Sequence, residues 1–99
     1  MKDNNKQLLI PQAAQEDPDS YELIRVWIAK KSQHCSIRTG IWDDPAAWGI
    51  ILADLARLVV SSYEQDEGYE RIATLQRIRR TFDIEMDSPT DDPKGKSLK

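Results

Sequence analysis

The side chains with the clearest chemical potential lie between residues 25 and 38. They are Arg25, Trp27, His34, Ser36 and Arg38. If two antiparallel strands are joined by a loop at 30–33, these side chains share one face, because alternate residues of a strand point to the same side. Two arginines beside an indole and an imidazole suit a phosphate, a carboxylate or a stacked base. We call these five residues the outer-face cluster and treat them as a candidate surface for an anion or a partner.

The same cluster also fits an ordinary solvated surface. With a four-residue loop, Ala29 lies opposite His34, Trp27 opposite Ser36, and Arg25 opposite Arg38. Directly opposed like charges are unfavourable on a sheet unless something negative joins them. The arginines could instead extend into water, or pair with Glu22 or with Asp43 across a dimer. We favour this solvated surface and keep anion binding as the alternative.

Two tryptophans and two aspartates near residue 45 form the next candidate. Trp42 and Trp48 could line a pocket, although tryptophans in so small a protein more often anchor its packing. Asp43 and Asp44 could bind a metal ion. Because Pro45 follows directly, we instead interpret Asp44 as the cap of a helix that begins at Pro45.

Other catalytic and cofactor chemistry has little support. One cysteine and one histidine cannot supply the four ligands of a structural zinc site. His34 and Cys35 are neighbours on a predicted strand, so their side chains point to opposite faces and cannot form a dyad. The four glycines are scattered and form no phosphate-binding loop. We predict no catalytic residue, cofactor or metal, and the residues leave open whether the chain is an enzyme.

Apolar periodicity predicts the elements that must position these side chains. Alternation favours strands at Glu22–Ala29 and His34–Thr39, although a helix capped at Asp17 or Ser20 also fits the first segment. A long helix is predicted from Pro45 to about Glu67, with Gly68 as a left-handed cap. Its apolar stripe contains Trp48, Ile51, Leu52, Leu55, Leu58 and Val59, and its polar stripe contains Asp54, Arg57 and Ser61.

A second helix is predicted from about Glu70 to Met86, with an inner stripe of Ile72, Leu75, Ile78, Phe82 and Met86. The fold class is therefore α+β: a β-hairpin followed by two antiparallel helices packed on one of its faces (β-β-α-α). Leu8–Ile10 is either an additional N-terminal edge strand or a docked arm. We expect residues 1–7 and 89–99 to be disordered and 8–88 to form a single domain.

Charge and cysteine content indicate the setting. The net charge of −3 provides no basic field for nucleic acid, and acidic neighbours can neutralise Arg77, Arg79 and Arg80. The start of the chain lacks a signal-peptide pattern, and one cysteine suits a reducing compartment. The most apolar run carries Asp54 and Arg57 and is expected to be too short to span a membrane. We expect a cytoplasmic protein with no membrane partner.

The first predicted strand is apolar on both faces, so Leu23 and Trp27 need a cover and the strand needs a pairing partner. A second copy of the chain could supply both across a two-fold axis. We therefore predict a homodimer that acts as an interaction module with a protein partner of unknown identity.

Three segments resemble a known family of short bacterial proteins. They are R-V-W-I-A at 25–29, W-x-D-P-A-A-W-G at 42–49 and D-S-P-T at 87–90. The family is known only as a domain of unknown function, and the resemblance covers most of the chain from Tyr21 to Thr90. Lys30-Lys31-Ser32 departs from the family's glycine-rich turn. The resemblance supports the domain boundaries and implies no functional residue.

Overall fold

The computed structural model describes residues 6–98 of the chain. Its elements, in order, are α1 (Gln12–Glu16), β1 (Ile24–Ala29), β2 (Ser32–Arg38), α2 (Ala46–Glu67), α3 (Arg71–Asp87) and β3 (Lys94–Leu98). The predicted α+β class, with a β-hairpin followed by two helices, is confirmed. Most of the N-terminal segment predicted to be disordered, residues 1–5, lies outside the described residues. The short helix α1 lies between the N-terminal segment Leu8–Ile10 and β1.

The hairpin has a tighter turn than the sequence predicts. β1 pairs antiparallel with β2, with Trp27 opposite His34 and Arg25 opposite Ser36. The turn consists of Lys30 and Lys31, both in the left-handed region at φ 51° and 62°. Two-residue hairpin turns of this kind match the twist of the strands but favour Asn-Gly, so two lysines gave no signal for one. The predicted register is therefore wrong by two residues, and each residue keeps its predicted face.

The third strand comes from the C-terminal end rather than the N-terminal end. β3 lies parallel to β2, and the sheet order is β1-β2-β3. The prediction of a disordered tail at 89–99 therefore fails for Lys94–Leu98. Leu8–Ile10, the predicted edge strand, has no regular structure. A polar composition predicts disorder because the tail has no apolar face to bury, whereas β3 is held by backbone pairing.

Gly95 allows β3 to approach β2 closely. It pairs with Cys35, and a Cβ atom at position 95 would collide with the carbonyl oxygen of Cys35 and lie 3.1 Å from its carbonyl carbon. The end of the strand is held by the Thr39 amide, which donates to the Leu98 carbonyl at 2.7 Å. A polar tail therefore pairs with the sheet through its backbone and a single small residue.

Both long helices have the ends that their sequences predict. The Asp44 carboxylate accepts from the Ala46 amide at 2.9 Å at the start of α2, and Gly68 ends the helix at φ 74°. At the start of α3, the Glu70 carboxylate accepts from the amides of Ile72 at 2.8 Å and Ala73 at 3.0 Å. These two hydrogen bonds lower the pKa of Glu70, because they stabilise its charged form.

The helices do not pack across the sheet as predicted. Within residues 6–98, no Cα atom of α2 or α3 lies within 8 Å of a Cα atom of a strand, whereas the two helices lie against each other. The apolar stripe of α2 is largely exposed, with Leu58 at 64% and Leu55 at 45%. Among the described residues, Val60 is the only buried apolar residue, with 3% of its surface exposed. It points about 140° or more away from Leu55 and Leu58 around the helix, at 100° per residue.

The isolated chain is correspondingly open. It exposes 9072 Å², whereas a compact chain of its 11.4 kDa mass exposes about 5,800 Å². Its radius of gyration is 15.7 Å, against about 13 Å for a compact domain of this length. Apolar surface that normally forms a core is therefore uncovered in the single chain.

The two-residue turn predicts the effect of replacing its lysines. Lys30→Asn combined with Lys31→Gly should raise the free energy of unfolding by about 1 kcal/mol, because it removes left-handed strain from two ordinary residues. Chemical denaturation measures the change. The matched control, Lys30→Ala with Lys31→Ala, removes the same charges but keeps the strain and should give no gain. Equal gains in both variants would contradict the turn geometry.

The approach of β3 to β2 predicts the effect of a single methyl group. Gly95→Ala should detach β3 or shift it, at a cost of about 1–3 kcal/mol, because the new Cβ overlaps the Cys35 carbonyl. Hydrogen exchange should then show lost amide protection between Lys94 and Leu98. Ser97→Ala is the control in the same strand and should retain protection. Unchanged exchange in Gly95→Ala would disprove the pairing.

Candidate functional site

The hairpin places the outer-face cluster on one side of the sheet. Arg25 and Trp27 of β1 lie opposite Ser36 and His34 of β2. Arg38, at the end of β2, donates its amide to the Leu23 carbonyl at 2.9 Å. The two-residue shift in register separates Arg25 from Arg38, so the directly opposed like charges expected from the sequence do not occur.

Both arginines of the cluster have partners within the chain. Arg25 forms a forked ion pair with Glu22, at 3.0 Å from Nε and 3.2 Å from Nη2. Arg38 Nε donates to the Glu22 carbonyl at 3.0 Å, and its guanidinium lies 5.7 Å from the centre of the Tyr21 ring. Pairing with Glu22 was one of the alternatives that the sequence offered. The role of Tyr21 was missed, because stacking on Arg38 depends on the register.

His34 is the member of the cluster with unused hydrogen-bonding capacity. Its Nε2 atom is buried and has no hydrogen-bond partner among the described residues. A buried polar nitrogen without a partner is unfavourable, so this atom is the most chemically distinctive point of the outer face. Cys35 lies on the other face, opposite Val26, and its sulfur accepts from the Gln33 side chain at 3.4 Å. The two neighbours therefore form no dyad.

Trp42 and Trp48 contact each other. Their rings meet edge to face, with centroids 6.0 Å apart and planes at 83°. This geometry is favourable for aromatic pairs and joins the linker before α2 to the first turn of the helix. Together with the Asp44 cap, the contact sets the direction in which α2 leaves the sheet.

An apolar groove runs beside β1, which we call the β1 groove. Its volume is about 1000 Å³, and its walls include the N-terminal segment Leu8–Ile10 and the strand residues Ile24, Val26 and Ile28. Leu8 and Leu9 are 92% and 93% exposed, and Ile28 is 75% exposed. In the sequence, Leu8–Ile10 is an apolar segment and β1 has two apolar faces. The sequence did not indicate that the two would line one groove.

Two further findings bear on the kind of site present. Within residues 6–98, no group of three or more histidine, cysteine, aspartate or glutamate side chains is arranged to hold a metal ion. By length and composition alone, the 22-residue helix α2 could cross a membrane. The apolar run noted in the sequence is part of this longer helix, and Asp54 and Arg57 lie near its middle, where charge in a bilayer is unfavourable.

Comparison with known proteins identifies the family. Residues 7–90 match the family described as "Domain of unknown function (DUF5076)". The chain belongs to this family. The predicted resemblance to a domain of unknown function is thus confirmed, and β3 lies beyond the DUF5076 match. A search of curated proteins finds no match.

One solved structure similar to this DUF5076 chain is described as that of "a putative pyruvate dehydrogenase from the photosynthetic bacterium Rhodopseudomonas palustrus CGA009". The identity is 29% and the TM-score 0.70, and the match covers 88% of this chain and 89% of the other. The two proteins therefore share nearly the whole fold.

The segment that follows α3 also has a clear structural role. The Glu85 carboxylate accepts from the Thr90 amide at 3.0 Å and from the Thr90 hydroxyl at 2.8 Å, which lowers the pKa of Glu85. These hydrogen bonds hold the chain where it turns back toward the sheet. Thr90, the last residue of the D-S-P-T segment, thus has a structural role.

Proposed function

We propose that this DUF5076 protein is a non-enzymatic protein-interaction module that acts as a homodimer in the cytoplasm. The observation that carries the proposal is the exposed apolar stripe of α2. Four of its six large apolar side chains, Leu52, Leu55, Leu58 and Val59, are exposed. This exposure is unfavourable in water, since each uncovered side chain forgoes about 1.5–3 kcal/mol of burial energy. Because the net free energy of folding of a small domain is small, the loss of several such contributions would unfold it.

The uncovered area supports a second copy as the cover. The chain exposes about 3,000 Å² more than a compact chain of its mass. Obligate homodimers bury roughly 2,000–5,000 Å² or more in total, and their interfaces resemble a domain core cut in half. Two chains that each bury the excess area would reach this range. The open shape of the single chain is therefore that of half of an assembly.

The description of the structural relative suggests an enzyme, and its fit to this chain is poor. Decarboxylating a 2-oxo acid requires a cofactor that accepts the electrons of the broken bond. This sequence has one histidine, one cysteine and no glycine-rich loop to hold a diphosphate. From this relative we therefore infer only the shared fold, and we do not assign its activity to this chain.

A second candidate function is the binding of a small carboxylate or phosphate by the outer-face cluster. The arginines of the cluster and Lys96, which β3 places beside Ser36, favour it, and pyruvate, named for the structural relative, is itself a carboxylate. The pairing of Arg25 with Glu22 weakens it, because an incoming anion would have to displace an attached carboxylate. We place this function second for that reason.

The homodimer is tested by its mass in solution. Analytical ultracentrifugation at micromolar concentration should give the mass of two chains. Leu58→Asp should weaken the dimer by roughly ten- to hundred-fold for each copy, because it removes about 1.5–3 kcal/mol of apolar burial. Ser61→Asp adds the same charge on the polar stripe and should leave the dimer intact. A single-chain mass for the unaltered protein would refute the proposal, as would equal effects of the two variants.

The anion-binding candidate predicts retention of a small molecule. Native mass spectrometry of freshly purified protein should then show a bound anion, and calorimetry should detect binding of pyruvate or inorganic phosphate. Arg25→Ala and Arg38→Ala should each abolish this binding without unfolding the protein, whereas Arg57→Ala on α2 should not. Binding that survives both cluster substitutions, or no binding to the unaltered protein, would eliminate this candidate.

A further inference from the structure

The sheet has an uncovered apolar face of its own, on the side opposite the outer-face cluster. We call it the inner sheet face; its apolar residues are Ile24, Val26, Ile28, Cys35 and Ile37, and Gln33 lies opposite Ile28 on the same face. Val26 is 53% exposed and Ile28 75% exposed. Each chain therefore carries two bare apolar surfaces, the inner sheet face and the α2 stripe, which do not lie against each other.

We infer that the α2 stripe of one copy packs on the inner sheet face of the second copy, which forms an intertwined two-fold dimer. This inference rests on the proposed homodimer and specifies its contact. A helix covering an apolar sheet face is the standard way in which both elements become buried. A two-fold axis makes the contact twice, so both bare surfaces of both chains are covered.

The alternative pairings leave surface exposed. If α2 packed on α2 of the partner, both inner sheet faces would remain bare. If β1 paired edge to edge with β1 of the partner, both α2 stripes would remain in water. Exchange of the helices covers the two surfaces at once, and the area of about 3,000 Å² that each chain must bury favours the arrangement that uses both.

The dimensions of the two surfaces agree. The six residues of β1 span about 20 Å at 3.3 Å per residue. The stripe from Trp48 to Val59 spans about 17 Å at 1.5 Å per residue. The β1 groove adjoins the inner sheet face, and its outer wall, Leu8–Ile10, is placed to contact the incoming helix.

The linker explains why α2 covers the partner's sheet rather than its own. The Asp44 cap at 2.9 Å and the Trp42–Trp48 contact at 6.0 Å hold the start of α2 in one direction relative to the linker. In that direction α2 and α3 pass clear of their own strands. Short connections that hold an element away from its own domain favour exchange between copies.

Cysteine cross-linking tests the contact, because the native Cys35 lies on the inner sheet face. The variant Leu55→Cys places a second thiol at the centre of the α2 stripe, and a short bismaleimide then joins thiols that lie close together. We expect a covalent dimer on a denaturing gel, with a peptide linking positions 35 and 55. Because thiols held in contact react at an effective concentration of millimolar order, the dimer should form at least roughly ten-fold faster than with Arg57→Cys on the polar stripe.

The remaining outcomes overturn the inference. A link between 35 and 55 within a single chain means that α2 covers its own sheet. A link that persists when Leu55→Cys is combined with Cys35→Ser means that the two α2 helices face each other. Absence of any link also disproves the contact, provided that circular dichroism shows a folded variant. Leu52→Cys on the same stripe replaces Leu55→Cys if the latter does not fold.

Sedimentation of the unaltered protein separates this inference from the proposal on which it rests. A two-chain mass without a link between positions 35 and 55 would disprove the helix exchange but agree with the homodimer. A single-chain mass would disprove both proposals.

Discussion

The requirement to keep large apolar side chains away from water governs this structure, because the single chain leaves many of them exposed. In α2, Val60 is buried, whereas Leu52, Leu55, Leu58 and Val59 of the apolar stripe are exposed. The sheet likewise leaves its inner face open. Apolar burial is the main favourable term in folding, and the proposed homodimer would supply the burial that the single chain lacks.

Local interactions hold the open shape in place. The carboxylates of Asp44 and Glu70 cap the two long helices, and Glu85 secures the turn that leads back to the sheet. None of these interactions needs a buried core, because each satisfies backbone or hydroxyl groups near the surface. They explain how defined elements persist while the faces between them remain uncovered. β3 also needs no buried core, because it is held to β2 by backbone pairing at Gly95.

The outer-face cluster illustrates how far side-chain chemistry can be anticipated. Alternation along the strands placed its five residues on one face, and that placement survives a shift of two residues in register because the shift is even. The register itself decided which charges meet. Glu22 pairs with Arg25, Arg38 lies beside Tyr21, and the buried His34 Nε2 has no hydrogen-bond partner within residues 6–98. In the fold, Arg25 is paired with a carboxylate, while β3 places Lys94 and Lys96 beside His34 and Ser36, so this face gains cationic side chains.

Sequence by itself determined the hairpin, both long helices and most of their ends, because these depend on periodicity and on capping residues close in the chain. It did not reveal the two-residue lysine turn, whose residues lack the usual preference for left-handed backbone, or β3, which pairs with a strand some sixty residues earlier. Only the tertiary structure decided which apolar faces meet. Periodicity marks a face as apolar, but the direction of a short linker determines what that face can reach.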